Sequence, residues 1–224
     1  MKHRPEFVNA KQKSVVILIS GRGSNMQALL ESDLHCCRIA AVISNKADAP
    51  GLDLAKQLGL ETRVVSHLGH PDRESFDAAL AAEIDRYQPD LIVLAGFMRI
   101  LTAGFVAHYA GRLINIHPSL LPAYGGLNTH ERALKDGVKI HGCTVHYVTP
   151  DLDHGPIIIQ AAVSVLAEDT PTTLAARVLR EEHRIYPQAI CWFCCDNLSL
   201  TAEGKVHLNH LKQPGAALIT PGLE

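Results

Sequence analysis

Three short segments carry residue types that could do chemistry together. Asn115-Ile116-His117 sets a carboxamide and an imidazole two positions apart, ahead of Pro118-Ser119-Leu120-Leu121-Pro122. In an extended strand alternate side chains share a face, so the two groups point the same way. An amide N–H can stabilise an oxyanion and an imidazole can move a proton. The same residues also suit a capped strand end with a hydrogen-bonded core histidine. Asp151-Leu152-Asp153-His154-Gly155-Pro156 offers a carboxylate able to meet and orient His117, although Asp and Gly-Pro are turn formers in their own right. Gly21-Arg22-Gly23-Ser24-Asn25 lies where a strand gives way to a helix, a place where glycines permit a tight turn and unpaired backbone N–H groups face an anion. Glycines there equally suit a turn that only lets the helix pack closely.

Other candidates are weaker. A dinucleotide fingerprint would need glycine at Met26 and an acidic residue near Asn45-Lys46, so a nicotinamide-dependent oxidoreductase is disfavoured. Leu94 to Leu101, containing Met98, Arg99, Ile100 and Leu101, reads as a strand end running into an apolar loop suited to a flat heterocycle. Cys191-Trp192-Phe193-Cys194 has a two-residue gap, but no second pair at ligand spacing accompanies it. In an apolar helix such cysteines act as small hydrophobes, so no metal is expected. Arg22, Lys46 and Arg73 read, on their own, as solvated charge.

The elements that must position these groups follow an α/β pattern. Residues 14–20, 38–44, 62–65, 91–95 and 113–117 are short apolar, β-branched runs bounded by Gly, Pro, Asn or Asp, the pattern of buried parallel strands. Helical spacing is clearest over 74–87, where Phe76, Leu80, Ile84 and Tyr87 recur and Pro89 closes the element. After Pro122 the order changes to a short helix over 129–135 and a late antiparallel strand pair, 142–148 and 157–165. A long helix over 172–193 follows Pro171, and Pro187 predicts a kink or break in it. A small strand pair and a loose end complete the chain. The reading is a Rossmann-like, mostly parallel sheet flanked by helices, in a domain over 14–212, with an N-terminal extension over 1–13 and a tail over 213–224.

Composition limits the function classes. The 224 residues are 47% hydrophobic and 20% charged, enough for one sizeable core. With 21 basic and 23 acidic residues the formal charge is -2, so no global field recruits nucleic acid or anionic lipid, and an anionic ligand must be met locally. Apolar runs fall short of the roughly 17 residues that span a bilayer, and no signal peptide is seen. Six scattered cysteines without a secretory signal read as reduced thiols and a cytoplasmic location.

Taken together, residues 20–25, 44–49, 94–101, 115–122, 141–146, 152–156 and 182–187 resemble, in order and spacing, the folate-dependent glycinamide ribonucleotide formyltransferases of purine biosynthesis. The resemblance covers nearly the whole chain. It implies the formyltransferase fold and transfer of a formyl group from 10-formyltetrahydrofolate to the amine of glycinamide ribonucleotide, without a metal. It implies Gly23, Ser24 and Asn25 on the substrate phosphate and Glu182 on the ribose. It places Arg73, Met98, Arg99, Ile100, Leu101 and Asn115 on the folate, and Asn115, His117 and Asp153 at the reaction, with Thr144 and His146 in support. The expected partners are these small molecules, with no nucleic acid or membrane, and the chain is read as a monomer or homodimer. Tyr124-Gly125-Gly126-Leu127-Asn128 and His154 depart from the family pattern, Asn128 replacing a histidine and His154 a glycine. Formyltetrahydrofolate hydrolase and methionyl-tRNA formyltransferase share the Asn-His-Asp set, but each normally carries a further domain for which this chain is read as too short. A non-catalytic nucleotide-binding module is the alternative from another class.

Overall fold

The computed structural model describes residues 12–209, Leu218 and Thr220. Most of the expected extension and tail lies outside the described residues. β1 (Lys13–Ile19) is apolar on both faces: Val15, Ile17 and Ile19 enter one core, Val16 and Leu18 the other. Period-two alternation on a strand covered from both sides gives an unbroken apolar run. α1 (Ser24–Glu31), β2 (Cys37–Ser44), α2 (Pro50–Gln57), β3 (Thr62–Val64), α3 (Arg73–Asp85), β4 (Leu91–Leu94), α4 (Ala103–His108) and β5 (Leu113–His117) continue the alternation. Their strands are parallel in the order β3-β2-β1-β4-β5. α5 (Thr129–Asp136) then leads to β6 (Ile140–Tyr147) and β7 (Ile157–Ser164), which extend the sheet antiparallel beyond β5. This is the expected mixed sheet.

α6 (Pro171–Cys194) packs with α1 and α2 on one face through Leu174, Val178, Tyr186, Met26, Leu29 and Leu52. Phe76, Leu80 and Ile84 of α3 and Phe105 and Val106 of α4 cover the other. Thr170 caps α6 by accepting from the Thr173 N–H, with Pro171 at a position where no N–H is needed. The break expected at Pro187 does not occur; the helix runs through it to Cys194. Ile185, Tyr186, Ala189 and Ile190 are buried around the proline, and the Tyr186 hydroxyl donates towards the carbonyls of Leu94 (2.9 Å) and Ile114 (3.2 Å). Tertiary packing here outweighs the one backbone hydrogen bond that proline cannot make. The small pair β8 (Leu198–Leu200) and β9 (Val206–Leu208) follows as expected.

The expectation of six reduced thiols fails at one pair. Cys36, in the turn before β2, and Cys195, capping α6, form a disulfide across 159 positions of sequence. Cys37, Cys143, Cys191 and Cys194 remain thiols. A contact of such range leaves no trace in local spacing.

Candidate active site

The strand order reverses between β1 and β4, and in open parallel sheets the crevice beside such a reversal, at the carboxyl ends of the strands, is where ligands enter. The loops after these two strands are tied together: the Ser20 N–H donates to the Gly96 carbonyl (3.2 Å) and the Met98 N–H to the Ser20 hydroxyl (2.8 Å). Ser20 in turn donates to the buried side chain of Asn45 (2.6 Å). Sequence reasoning singled out neither Ser20 nor Asn45 for this bracing, because their polar atoms meet only through the β1–β2 and β1–β4 pairings.

After β1 the backbone turns at Gly23, whose φ of 73° lies in the left-handed region that favours glycine. A side chain there would also press within 3.1 Å of Met26 Cε and 3.3 Å of Gly51 Cα. Gly23 caps α1 without any side-chain capping bond, and the first turn carries no acidic residue, so the helix start stays open to an anion. Asn25 donates through Nδ2 to Glu182 Oε2 (2.7 Å), while its buried Oδ1 has no partner. Burial pushes the Glu182 carboxyl above the usual range, and the Asn25 hydrogen bond opposes that shift. The contiguous Gly23, Ser24 and Asn25 are thus joined by the distant Glu182 where β1 gives way to α1.

At β5 the expected groups converge as well. His117 Nε2 lies 2.9 Å from the Tyr124 carbonyl, so this nitrogen carries a proton and donates. Its Nδ1 then faces Asp153 Oδ2 at 3.5 Å, with both side chains less than a tenth exposed. His146 sits directly opposite Asn115 in the β5–β6 pairing. Its Nδ1 donates to the Tyr147 carbonyl (2.9 Å), which leaves Nε2 as an acceptor, and burial depresses its pKa. That acceptor fixes the amide of Asn115, whose Nδ2 lies 3.3 Å away. One amide N–H is spent on His146 and the other remains for a ligand. His146 Nε2 is also 3.9 Å from Asp153 Oδ1.

Asp153 is held by its loop. It adopts a φ of 54°, and its Oδ2 accepts from the Gly126 N–H at 2.8 Å. A Cβ on Gly155 would fall 1.7 Å from the Tyr147 carbonyl oxygen, so only glycine lets this loop fold against β6. The segment after His117 is braced from beneath: Thr144 donates to the Ser119 carbonyl (2.7 Å) and accepts from Leu121 N–H (3.1 Å) and Gln160 Nε2 (2.9 Å). The role of Gln160 and of the Tyr124 carbonyl escaped sequence reading, since neither residue type signals such a role. His154 is exposed and bonds the Leu152 carbonyl within its own loop (2.9 Å). Asn128, also exposed, supplies the left-handed residue that starts α5, with no side-chain capping bond.

The loop after β4 is apolar and open: Met98 is 65% and Ile100 56% exposed. Arg99 lies over the Phe76 ring at 5.0 Å, which links this loop to the first turn of α3. Arg73 opens that turn and is exposed. Leu101 is half-buried against the α3–α4 core. A cavity of about 420 Å³ between α3 and α4, lined by Asp77, Thr102, Phe105 and His108 among others, holds none of the candidate site residues.

Residues 13–190 match the model of the formyl transferase family. The chain is 50% identical over 194 residues to the phosphoribosylglycinamide formyltransferase of Escherichia coli (strain K12), covering 84% of this chain and 90% of that protein. A solved structure of the phosphoribosylglycinamide formyltransferase from Coxiella burnetii is similar with a TM-score of 0.84 at 50% identity, covering 89% of this chain and 94% of that one. A formyltetrahydrofolate deformylase from Pseudomonas syringae pv. tomato is similar with a TM-score of 0.81 at 30% identity, but 89% of this chain spans only 66% of that one.

Proposed function

The chain belongs to the formyl transferase family, and from that premise we propose that it transfers the formyl group of 10-formyltetrahydrofolate to the amine of glycinamide ribonucleotide. The observation that carries the reading is the meeting of Asn115, His117 and Asp153 at the carboxyl end of β5. The folate supplies an activated formyl group, whose oxygen gains negative charge as the amine attacks. Asn115 directs its remaining amide N–H at that oxygen. His117, as imidazolium, stabilises the same charge, and its proton reaches the departing folate nitrogen through a water relay. Asp153 holds the ring in this orientation and balances its charge.

At the other end, the N–H groups following Gly23, with the Ser24 and Asn25 side chains, bind the phosphate, and Glu182 accepts from the ribose. Met98, Arg99, Ile100 and Leu101 form the wall for the pterin, and Arg73 meets the acidic end of the folate. Proton transfer and an oxyanion donor suffice, so no metal enters this chemistry. Residues 14–212 are assigned to the catalytic unit. Among the described residues no helix is long and apolar enough to cross a membrane.

Rapid mixing with 10-formyltetrahydrofolate, with and without glycinamide ribonucleotide, tests the reading through absorbance of the deformylated folate. Release that requires the ribonucleotide is expected. Release without it would make the protein a hydrolase, and saturable ribonucleotide binding with no release would make it a binding module.

A further inference from the structure

The opposite end of the sheet carries a second group of reactive side chains. β2 starts at Cys37, so His35 and Cys36 lie at the amino end of the parallel strands, away from the loops that hold Asn115 and His117. Cys191 and Cys195 lie one helical turn apart at the end of α6 and face this turn. The Cys191 and Cys195 sulfurs are 3.8 Å apart, and a ring nitrogen of His35 and these two sulfurs all lie within 4.8 Å of one another. Three donors, two sulfur and one nitrogen, thus meet here, and Cys36 stands beside them as the bonded neighbour of Cys195.

That donor set and spacing are those of a tetrahedral thiophilic cation. Zinc–sulfur bonds of about 2.3 Å at the tetrahedral angle place two sulfurs about 3.8 Å apart, the separation found between Cys191 and Cys195. Cys37 and Cys194 are separate: they are buried in the core. The candidate donors are half-buried, with His35 exposed, so a cation has a path from solvent. Lys13 donates to the Phe193 carbonyl at 3.2 Å and pairs with Asp196, placing a positive charge beside a centre whose net charge would be negative. Sequence reading weighed only the Cys191–Cys194 spacing, and His35 and Cys36 lie too far along the chain to enter such a pattern.

We propose that, once the Cys36–Cys195 bond is reduced, His35, Cys36, Cys191 and Cys195 bind one zinc ion, which then ties the end of α6 to the turn before β2 as the disulfide does when oxidised. The reductant is a dithiol: its two S–H groups become a disulfide, and its two electrons and two protons end on Cys36 and Cys195 as thiols. Zinc then displaces one proton from each of three thiols and takes the lone pair of a neutral His35 nitrogen, with no electron transferred. The site lies away from the proposed formyl-transfer chemistry and does not depend on it.

The test uses the full chain, reduced with a phosphine and freed of metal, titrated with cobalt(II) and then zinc(II). One cobalt per chain is expected, with thiolate-to-cobalt charge transfer and the intense visible bands of tetrahedral coordination, bleached by one equivalent of zinc. The oxidised chain should take up none. Cys191→Ser and the exposed His35→Ala should each weaken zinc binding at least about tenfold in competition with a chromophoric chelator. Zinc should also protect Cys36, Cys191 and Cys195 of the unaltered protein from alkylation. A reduced chain that shows no charge-transfer band, or a band unchanged by Cys191→Ser, would overturn the proposal, as would alkylation of those three thiols at an undiminished rate with zinc present.

Discussion

In the proposed site the carboxyl end of β1 would meet a ligand mainly through backbone N–H groups, whereas the carboxyl end of β5 would do so through side chains. The first end is shaped by Gly23 in a left-handed conformation and by the open start of α1. The second is assembled by strand register: β5 and β6 run antiparallel, Asn115 faces His146, and the loop that follows β6 returns Asp153 to His117. A site of backbone groups is fixed by conformation, so it should tolerate changes of side-chain chemistry and fail on added bulk. A site of side chains should do the reverse.

The largest effect should come from Asp153→Asn, which keeps the shape at the second end and removes the charge. Turnover should fall by about 10² to 10⁴ while KM for the folate stays within a few-fold, as steady-state kinetics would show. Unchanged turnover would remove Asp153 from the proposed chemistry.

Next is acid stability, where the two ends should respond with opposite sign. Burial and, second, the neighbouring His130 press the His141 pKa down to about 4, against a hydrogen bond to Pro118, and burial also depresses His146. Histidines held neutral stabilise the fold above their ordinary value of 6.5, and that contribution is lost as the pH falls towards 4. The loss from His141 is about 3 kcal/mol at most. Glu182 is shifted upward by burial, so its contribution is present in acid and lost as the pH rises. Denaturant titrations from pH 7 to 4 should show stability falling with acid, and less steeply in His141→Gln. An equal slope in the variant would count against this assignment.

Gly23→Ala should then raise KM for the ribonucleotide about tenfold, through roughly 1 kcal/mol of left-handed strain and the close approach to Met26 and Gly51, with a smaller change in turnover. Ser24→Ala should cost less, because the backbone N–H groups remain. If the serine substitution proved the more damaging, the first end would be a side-chain site after all. The smallest effect is expected from Arg73→Ala, a few-fold weaker folate, since an exposed charge is screened by solvent and salt. Kinetics at low and high ionic strength would check it.

The same contrast decides what could be read from sequence. Gly21 to Asn25 is a local signal, because conformation needed within five residues selects glycine at the turn itself. Asn115 and His117 were legible because two-residue spacing in a strand puts both on one face; the turn formers around Asp153 favoured a merely structural loop, and only the resemblance singled it out. The partners of these groups were not legible. His146 was named only through the resemblance, its role coming from the β5–β6 register, and the Tyr124 carbonyl takes its place from a backbone with a φ of 56°. The Cys36–Cys195 bond depends on where α6 ends in space. Of the kink or break expected at Pro187, the break failed for the converse reason: a local rule against proline in a helix gave way to the packing of Tyr186 and its neighbours on the sheet.

The most direct test of a reacting end distinct from the anion end is a single turnover with donor labelled at the formyl carbon, read by NMR, in the unaltered chain and in His117→Ala. Label should appear in the formamide of the ribonucleotide with the unaltered chain. The variant should bind the ribonucleotide with unchanged affinity and pass label on at least about 10²-fold more slowly. Label appearing as formate whether or not ribonucleotide is present, or transfer by His117→Ala at the original rate, would contradict the account.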